Sequence, residues 1–119
     1  MRALPSHRHI AAKIQIRSFR IVEAKGYQHA EYLVELQLDG RYFSRWRRFS
    51  ALSRFVSTVG SSEFRETHAA WAKLEACGRW FNRLELAYLH ERCKLLEHFA
   101  HTLLIECSTA HPLANLLDC

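Results

Sequence analysis

The chain has 119 residues, 49% of them apolar and 24% charged, which excludes wholesale disorder and fibrous repeats and leaves room for one packed domain but not two. A net charge of +5 turns it toward anionic partners such as phospholipid surfaces, nucleic acid or phosphorylated ligands, and eight histidines add positive charge in acid. No apolar run approaches the roughly 20 residues of a membrane span, and the opening Met1 to His9 is too polar for a signal peptide, so any membrane contact is expected to be peripheral.

Residues 1–11 read as a basic, poorly ordered tail, with Pro5 and no apolar periodicity, ahead of a single domain over 12–117. From Lys13 the pattern becomes that of a half-buried strand. Ile14 and Ile16 alternate with Lys13, Gln15 and Arg17, and Phe19, Ile21 and Val22 extend the run toward a turn at Lys25 to Gln28. A second strand follows, with Tyr32, Val34, Leu36 and Leu38 on one face and Glu31, Glu35 and Gln37 on the other. Asp39-Gly40 supplies the two positive-φ residues of a tight hairpin turn, and the third strand runs from Arg41 to about Phe49.

Ser50 is the expected N-cap of a short helix carrying Leu52, Phe55, Val56 and Val59, with Gly60 as its C′ residue. The stretch from Ser61 to Gly78 reads as a connector with some helix. From about Arg83 to Glu106 the stripe Leu86, Leu89, Cys93, Leu96, Phe99, Leu103 and Leu104 marks the longest helix, with Glu91 and Glu97 on a solvated face. Pro112 then opens a final short helix through Leu113 and Leu117. Strands first and helices after make an α+β fold: a three-stranded antiparallel meander followed by a helical subdomain of three or four helices.

The chemistry concentrates between Arg41 and Arg54, where five arginines stand without one acid. The bland reading is a strand edge whose charges block aggregation. Position argues for more. Successive strand residues face opposite sides, so Arg47 and Arg48 cannot both address one small anion. Arg48 leads into a helix N-terminus, whose N–H groups and positive dipole end suit a phosphate, and a guanidinium adds paired hydrogen bonds.

No Gly-rich phosphate loop, HExxH or GxSxG is present, and the pairs His98/His101 and Cys107/His111 lack the rest of a metal set. Cys77, Cys93, Cys107 and Cys119 form no CxxC pair and read as reduced thiols of a cytoplasmic protein. No enzyme, cofactor, metal or small-molecule substrate is expected.

The order of strands, the Asp39-Gly40 turn and then Trp46-Arg47-Arg48-Phe49-Ser50-Ala51-Leu52 resembles the phox-homology (PX) pattern of an arginine pair, an aromatic, a small residue and a helix. Arg92 followed by Leu96 and Phe99 is similar to the family's downstream arginine with apolar residues four and seven positions on, and Arg79 lies where the family has a basic residue upstream of it. The resemblance covers about Ala12 to Leu117. It implies that Arg48 binds the 3-phosphate of an inositol lipid, that Phe49 supports the ring, that Arg79 meets the 1-phosphate and that Arg92 bonds the 4- and 5-hydroxyls.

The family's proline-rich segment is missing: Glu66 to Gly78 contains no proline, so a helix or extended turn replaces it, and Lys73 is an alternative 1-phosphate contact. Trp80 and Phe81 beside Arg79 offer either a membrane-insertion device or core packing. The expectation is a cytoplasmic recruitment module for phosphatidylinositol 3-phosphate on endosomal membranes, of the sorting-nexin type and with no nucleic acid as partner. The alternative is a PX-fold scaffold that binds proteins and has weakened or lost lipid specificity.

Overall fold

The computed structural model describes residues 12–79 and 81–118. Three strands, β1 (Ala12–Ala24), β2 (Tyr27–Leu38) and β3 (Arg41–Arg48), form one antiparallel sheet in sequence order. Four helices follow: α1 (Phe49–Val56), α2 (Arg65–Ala76), α3 (Leu86–Glu106) and α4 (His111–Asp118). This is the α+β arrangement the patterning implies. The residues 1–11 expected as a tail, and Trp80, lie outside the described residues.

Both hairpins turn on two residues with positive φ, Lys25 (55°) with Gly26 (81°) and Asp39 (53°) with Gly40 (82°). That is the geometry whose twist matches the flanking strands. The first turn is therefore shorter than Lys25 to Gln28, and Tyr27 already belongs to β2.

In β1 the alternation breaks after Ile16 because Gln15 pairs with Glu35 while Ser18 pairs with Leu33, leaving one extra residue on β1. This bulge lets Ile14 and Ile16, and then the odd-numbered Phe19, turn toward the helices. As an edge strand β1 also has outward-facing backbone groups that no strand pairs, and α3 takes two of them. The Ile16 N–H donates to Glu97 Oε1 at 2.8 Å, and His101 Nε2 donates to the Ile14 carbonyl at 3.0 Å. Glu97 is thus a strand-edge acceptor rather than part of a solvated face.

One cluster of buried side chains joins the layers. Tyr32, Val34 and Leu36 of the sheet meet Leu52 and Phe55 of α1, Trp71 and Leu74 of α2, Leu89, Leu96, Phe99 and Leu103 of α3, and Leu113 and Leu116 of α4. At about 25 cal/mol per Å² of apolar surface removed from water, this cluster is the main source of stability.

Several helix boundaries differ from the sequence expectation. Helix α1 begins at Phe49, with Arg48 at the N-cap (φ −76°, ψ 155°) and no side-chain cap, because the ladder pairing of Arg48 with Glu31 carries extended backbone up to the helix. Ser50 consequently falls in the first turn. The helix stops at Val56, short of Gly60, as the Ser57 and Thr58 hydroxyls donate to the Arg54 and Phe55 carbonyls, each at 2.6 Å. The proline-free connector contains the twelve residues of α2. Its N-terminus is satisfied by Glu106 at the end of α3, whose carboxylate accepts from the Glu66 N–H (2.8 Å), the Thr67 N–H (2.8 Å) and the Thr67 hydroxyl (2.6 Å). Helix α3 starts at Leu86 rather than Arg83, after a left-handed turn residue, Asn82 (φ 49°).

Candidate functional site

A cleft of about 390 Å³ opens where the β1–β2 hairpin, the β3–α1 junction, α3 and the segment before α3 converge. Its walls are Gln28, His29, Ala30 and Tyr32 from β2, Arg48, Phe49, Ser50 and Ser53 from the junction and α1, Arg83 and Leu84 from the connecting segment, and Arg92 from α3. Among the described residues three arginines line it and no carboxylate does.

Of the described arginines outside the cleft, three form salt bridges, while Arg17, Arg41, Arg54 and Arg65 form none. Arg20 pairs with Glu31 at 2.7 Å, Arg45 with Asp118 at 3.4 Å and Arg79 with Glu85 at 3.0 Å. Among the described residues no salt bridge reaches Arg48, Arg83 or Arg92. Arg48 lies opposite Glu31 in the ladder, but the Glu31 oxygens are taken, one by Arg20 and the other by His29 Nε2 at 3.1 Å. Burial alone would raise the Glu31 carboxyl; the hydrogen bonds from Arg20 and His29 outweigh it and hold the group below its ordinary value. Glu31 stays ionised and engaged elsewhere, leaving Arg48 exposed in the cleft.

Arg92 is only 8% exposed. A buried cation is costly unless its surroundings compensate, and here the compensation is aromatic. Its guanidinium lies 3.8 Å from the Phe49 ring centroid and 5.1 Å from that of Tyr88. Phe49 stacks on Trp71 (4.8 Å, 19°), and Trp71 meets Phe99 edge-on at 5.0 Å, so the arginine is backed by an aromatic column reaching the core. Burial pushes the Tyr32 phenol up to about 12 against the opposing pull of Arg92, so Tyr32 brings no negative charge to the cleft at working pH. A cationic pocket with no counterion among the described residues has the electrostatics that suit an anion.

The start of α1 adds to this. It has no side-chain cap and no acid in its first turn, and Phe49 and Ser50 at that end line the cleft. Ser50 and Ser53 stand on its wall as neutral hydrogen-bonding groups.

The residues singled out by sequence separate into two sets. Arg48, Phe49 and Arg92 come together in the cleft. Phe49 is engaged by Trp71 and Arg92, an arrangement that makes it the support for Arg92 more than a free face for a sugar ring. Arg47 is turned the other way, buried at 8% exposure and paired with Tyr32 in the ladder.

Arg79 is not part of the cleft wall. It donates to Glu85 (3.0 Å) and to the Asn82 carbonyl (3.2 Å), and it lies over Tyr88 at 4.5 Å, a ring that Arg92 also approaches, at 5.1 Å. Lys73 lines a different cleft of about 290 Å³ between α2 and α3, beside Glu66, His98 and Ile105, because α2 presents it away from the sheet. Phe81 is 52% exposed, near Arg79, while Trp80 lies outside the described residues.

Of the three cleft arginines, the one that sequence reasoning passed over is Arg83. Its one sequence signal is Asn82, a residue type that tolerates left-handed backbone and so marks a turn rather than a helix start. No family model, curated protein or solved structure matches this chain. No helix among the described residues is long and apolar enough to cross a membrane.

Proposed function

We propose that the chain is a phosphoinositide-binding membrane-recruitment module and that the arginine cleft receives the headgroup of phosphatidylinositol 3-phosphate on endosomal membranes. The observation that carries the reading is the convergence of Arg48, Arg83 and Arg92, none salt-bridged among the described residues, at the uncapped start of α1. A phosphomonoester brings close to two negative charges and a phosphodiester one more, about −3 in all, which balances three guanidinium groups.

In this reading Arg48 and the first N–H groups of α1 hold the 3-phosphate. Arg92, steadied on Phe49, spans neighbouring ring hydroxyls, and Arg83 takes the place expected of Arg79 or Lys73 at the phosphodiester. Exposed Phe81, one wall segment away, rests against the bilayer interface. The test is calorimetric titration with a soluble short-chain phosphatidylinositol 3-phosphate. Saturable binding that Arg48→Ala abolishes, with the circular dichroism spectrum intact, supports the reading. Equal affinity for unphosphorylated phosphatidylinositol sinks it.

A second reading keeps the PX-like fold as a protein-binding scaffold. It is favoured by the positions of Lys73 and Arg79 outside the cleft and by the internal engagement of Phe49. Partner binding that survives Arg48→Ala in a chain without lipid selectivity distinguishes it.

A further inference from the structure

We propose that the free edge of β3 and the groove beside it take an extended, acidic segment of a partner protein as a fourth strand. The inference is independent of what the arginine cleft binds.

The two edges of the sheet are treated differently. The edge of β1 is bonded to Glu97 and His101 of α3. On the outer side of Arg41–Arg45, no backbone hydrogen bond reaches any described residue. All five residues of that stretch are exposed, in contrast to the alternating burial of β2. An open strand edge of this kind is a template for another strand.

A groove of about 240 Å³ runs beside this edge, between the sheet and α4, with Leu36, Leu38, Phe43 and Leu117 as its apolar floor and Arg45 and Asp118 at its rim. The ladder places Arg41 opposite Leu38, Phe43 opposite Leu36 and Arg45 opposite Val34. Those three β3 residues therefore share the helix-side face in the order basic, apolar, basic. Directly opposed side chains on neighbouring strands interact most strongly. The complementary strand reads acidic, any, apolar, any, acidic, with its apolar residue against Phe43 and over the groove.

A second copy of this chain is disfavoured in the register that centres on Phe43 and the groove. Antiparallel pairing about Phe43 would set Arg41 against the Arg45 of the other copy twice over, and like charges directly opposed destabilise a sheet. The pair Arg45–Asp118 is open to exchange, since its separation is 3.4 Å and both side chains are more than half exposed, at 55% and 69%.

The experiment uses the full chain and two capped heptapeptides of threonine, one with glutamate, leucine and glutamate at its second, fourth and sixth positions, the other with lysines in place of the glutamates. Fluorescence anisotropy is expected to give at least about tenfold tighter binding of the glutamate peptide, with new hydrogen-exchange protection confined to Arg41–Arg48. The doubly substituted Arg41→Glu, Arg45→Glu chain, altered at exposed positions only, should reverse the preference, which misfolding cannot imitate. Equal binding of the two peptides, protection elsewhere, or no saturable binding of either by the folded chain overturns the proposal; in the last case the arginines serve only to guard the edge. A concentration-dependent dimer protected at β3 overturns it as well.

Discussion

Replacing Glu106 with alanine removes the cap of a helix forty residues earlier in the chain, and its cost can be worked from the contacts. Three hydrogen bonds at 2.6 to 2.8 Å end on this carboxylate. The Glu66 N–H can turn to water, but Thr67 is fully buried and cannot. Loss of a helix cap costs about 1 kcal/mol, and an unpaired buried hydroxyl adds about as much, so the variant should lose about 2 kcal/mol. For a domain of this size that corresponds to a melting temperature lower by roughly 8 °C.

The pH dependence is equally specific. Burial by itself would raise the Glu106 carboxyl, yet the bonds from Thr67 and Glu66 and the charge of Arg65 bring it below its ordinary value. A depressed carboxyl contributes stability above its unfolded-state value of about 4.3, and that contribution fades as pH falls through the lower folded-state value. Urea denaturation followed by circular dichroism at neutral and acid pH measures both effects. The gap between the parent and Glu106→Gln, which keeps one acceptor, should be smaller than for alanine and should close in acid. A Glu106→Ala loss within about 0.5 kcal/mol at neutral pH, the range of an ordinary surface substitution, refutes the capping argument. A gap that widens in acid does the same.

Gly40→Ala should cost about 1 kcal/mol in the same denaturation assay. An added Cβ meets nothing within 4 Å, so the loss would come only from the positive φ of 82°. In headgroup titrations Arg83→Ala should weaken binding by at least about tenfold through a lost charge-assisted bond, whereas Lys73→Ala should leave it unchanged. Phe49→Leu removes both the stack on Trp71 and the seat of Arg92. It should lower stability by about 1–2 kcal/mol and weaken headgroup affinity, as read by denaturation and calorimetry on one sample.

What could be read in the sequence was whatever local chemistry determines. The Asp39-Gly40 turn, the alternation of Tyr32, Val34 and Leu36, and the α3 stripe each follow from neighbours in the chain, and they give the meander and the long helix. The ends of α2 could not be read because its cap, Glu106, is remote. Glu97 read as a solvated acid because the bulge whose N–H group it accepts lies on a different element.

The same division holds in the cleft. Arg48 announces itself by its place between a strand and a helix start. Arg92 is recognisable only through a distant spacing, and its aromatic seat is assembled from Phe49 on one element and Trp71 on another. Arg79, implied by the resemblance, and Lys73, its alternative, both lie outside the cleft: Glu85 and Asn82 engage the one and the outward face of α2 carries off the other. Arg83, with no pattern of its own, reaches the cleft through the left-handed turn at Asn82.

The most direct test of the central claim is vesicle flotation of the full chain and of Arg48→Ala, on membranes of matched negative charge that contain either phosphatidylinositol 3-phosphate or phosphatidylserine. The parent should float with the phosphoinositide vesicles in clear preference to the others, and Arg48→Ala should lose that preference while retaining its fold. Equal flotation of the parent on both membranes, or an Arg48→Ala chain that keeps the preference, would contradict the account.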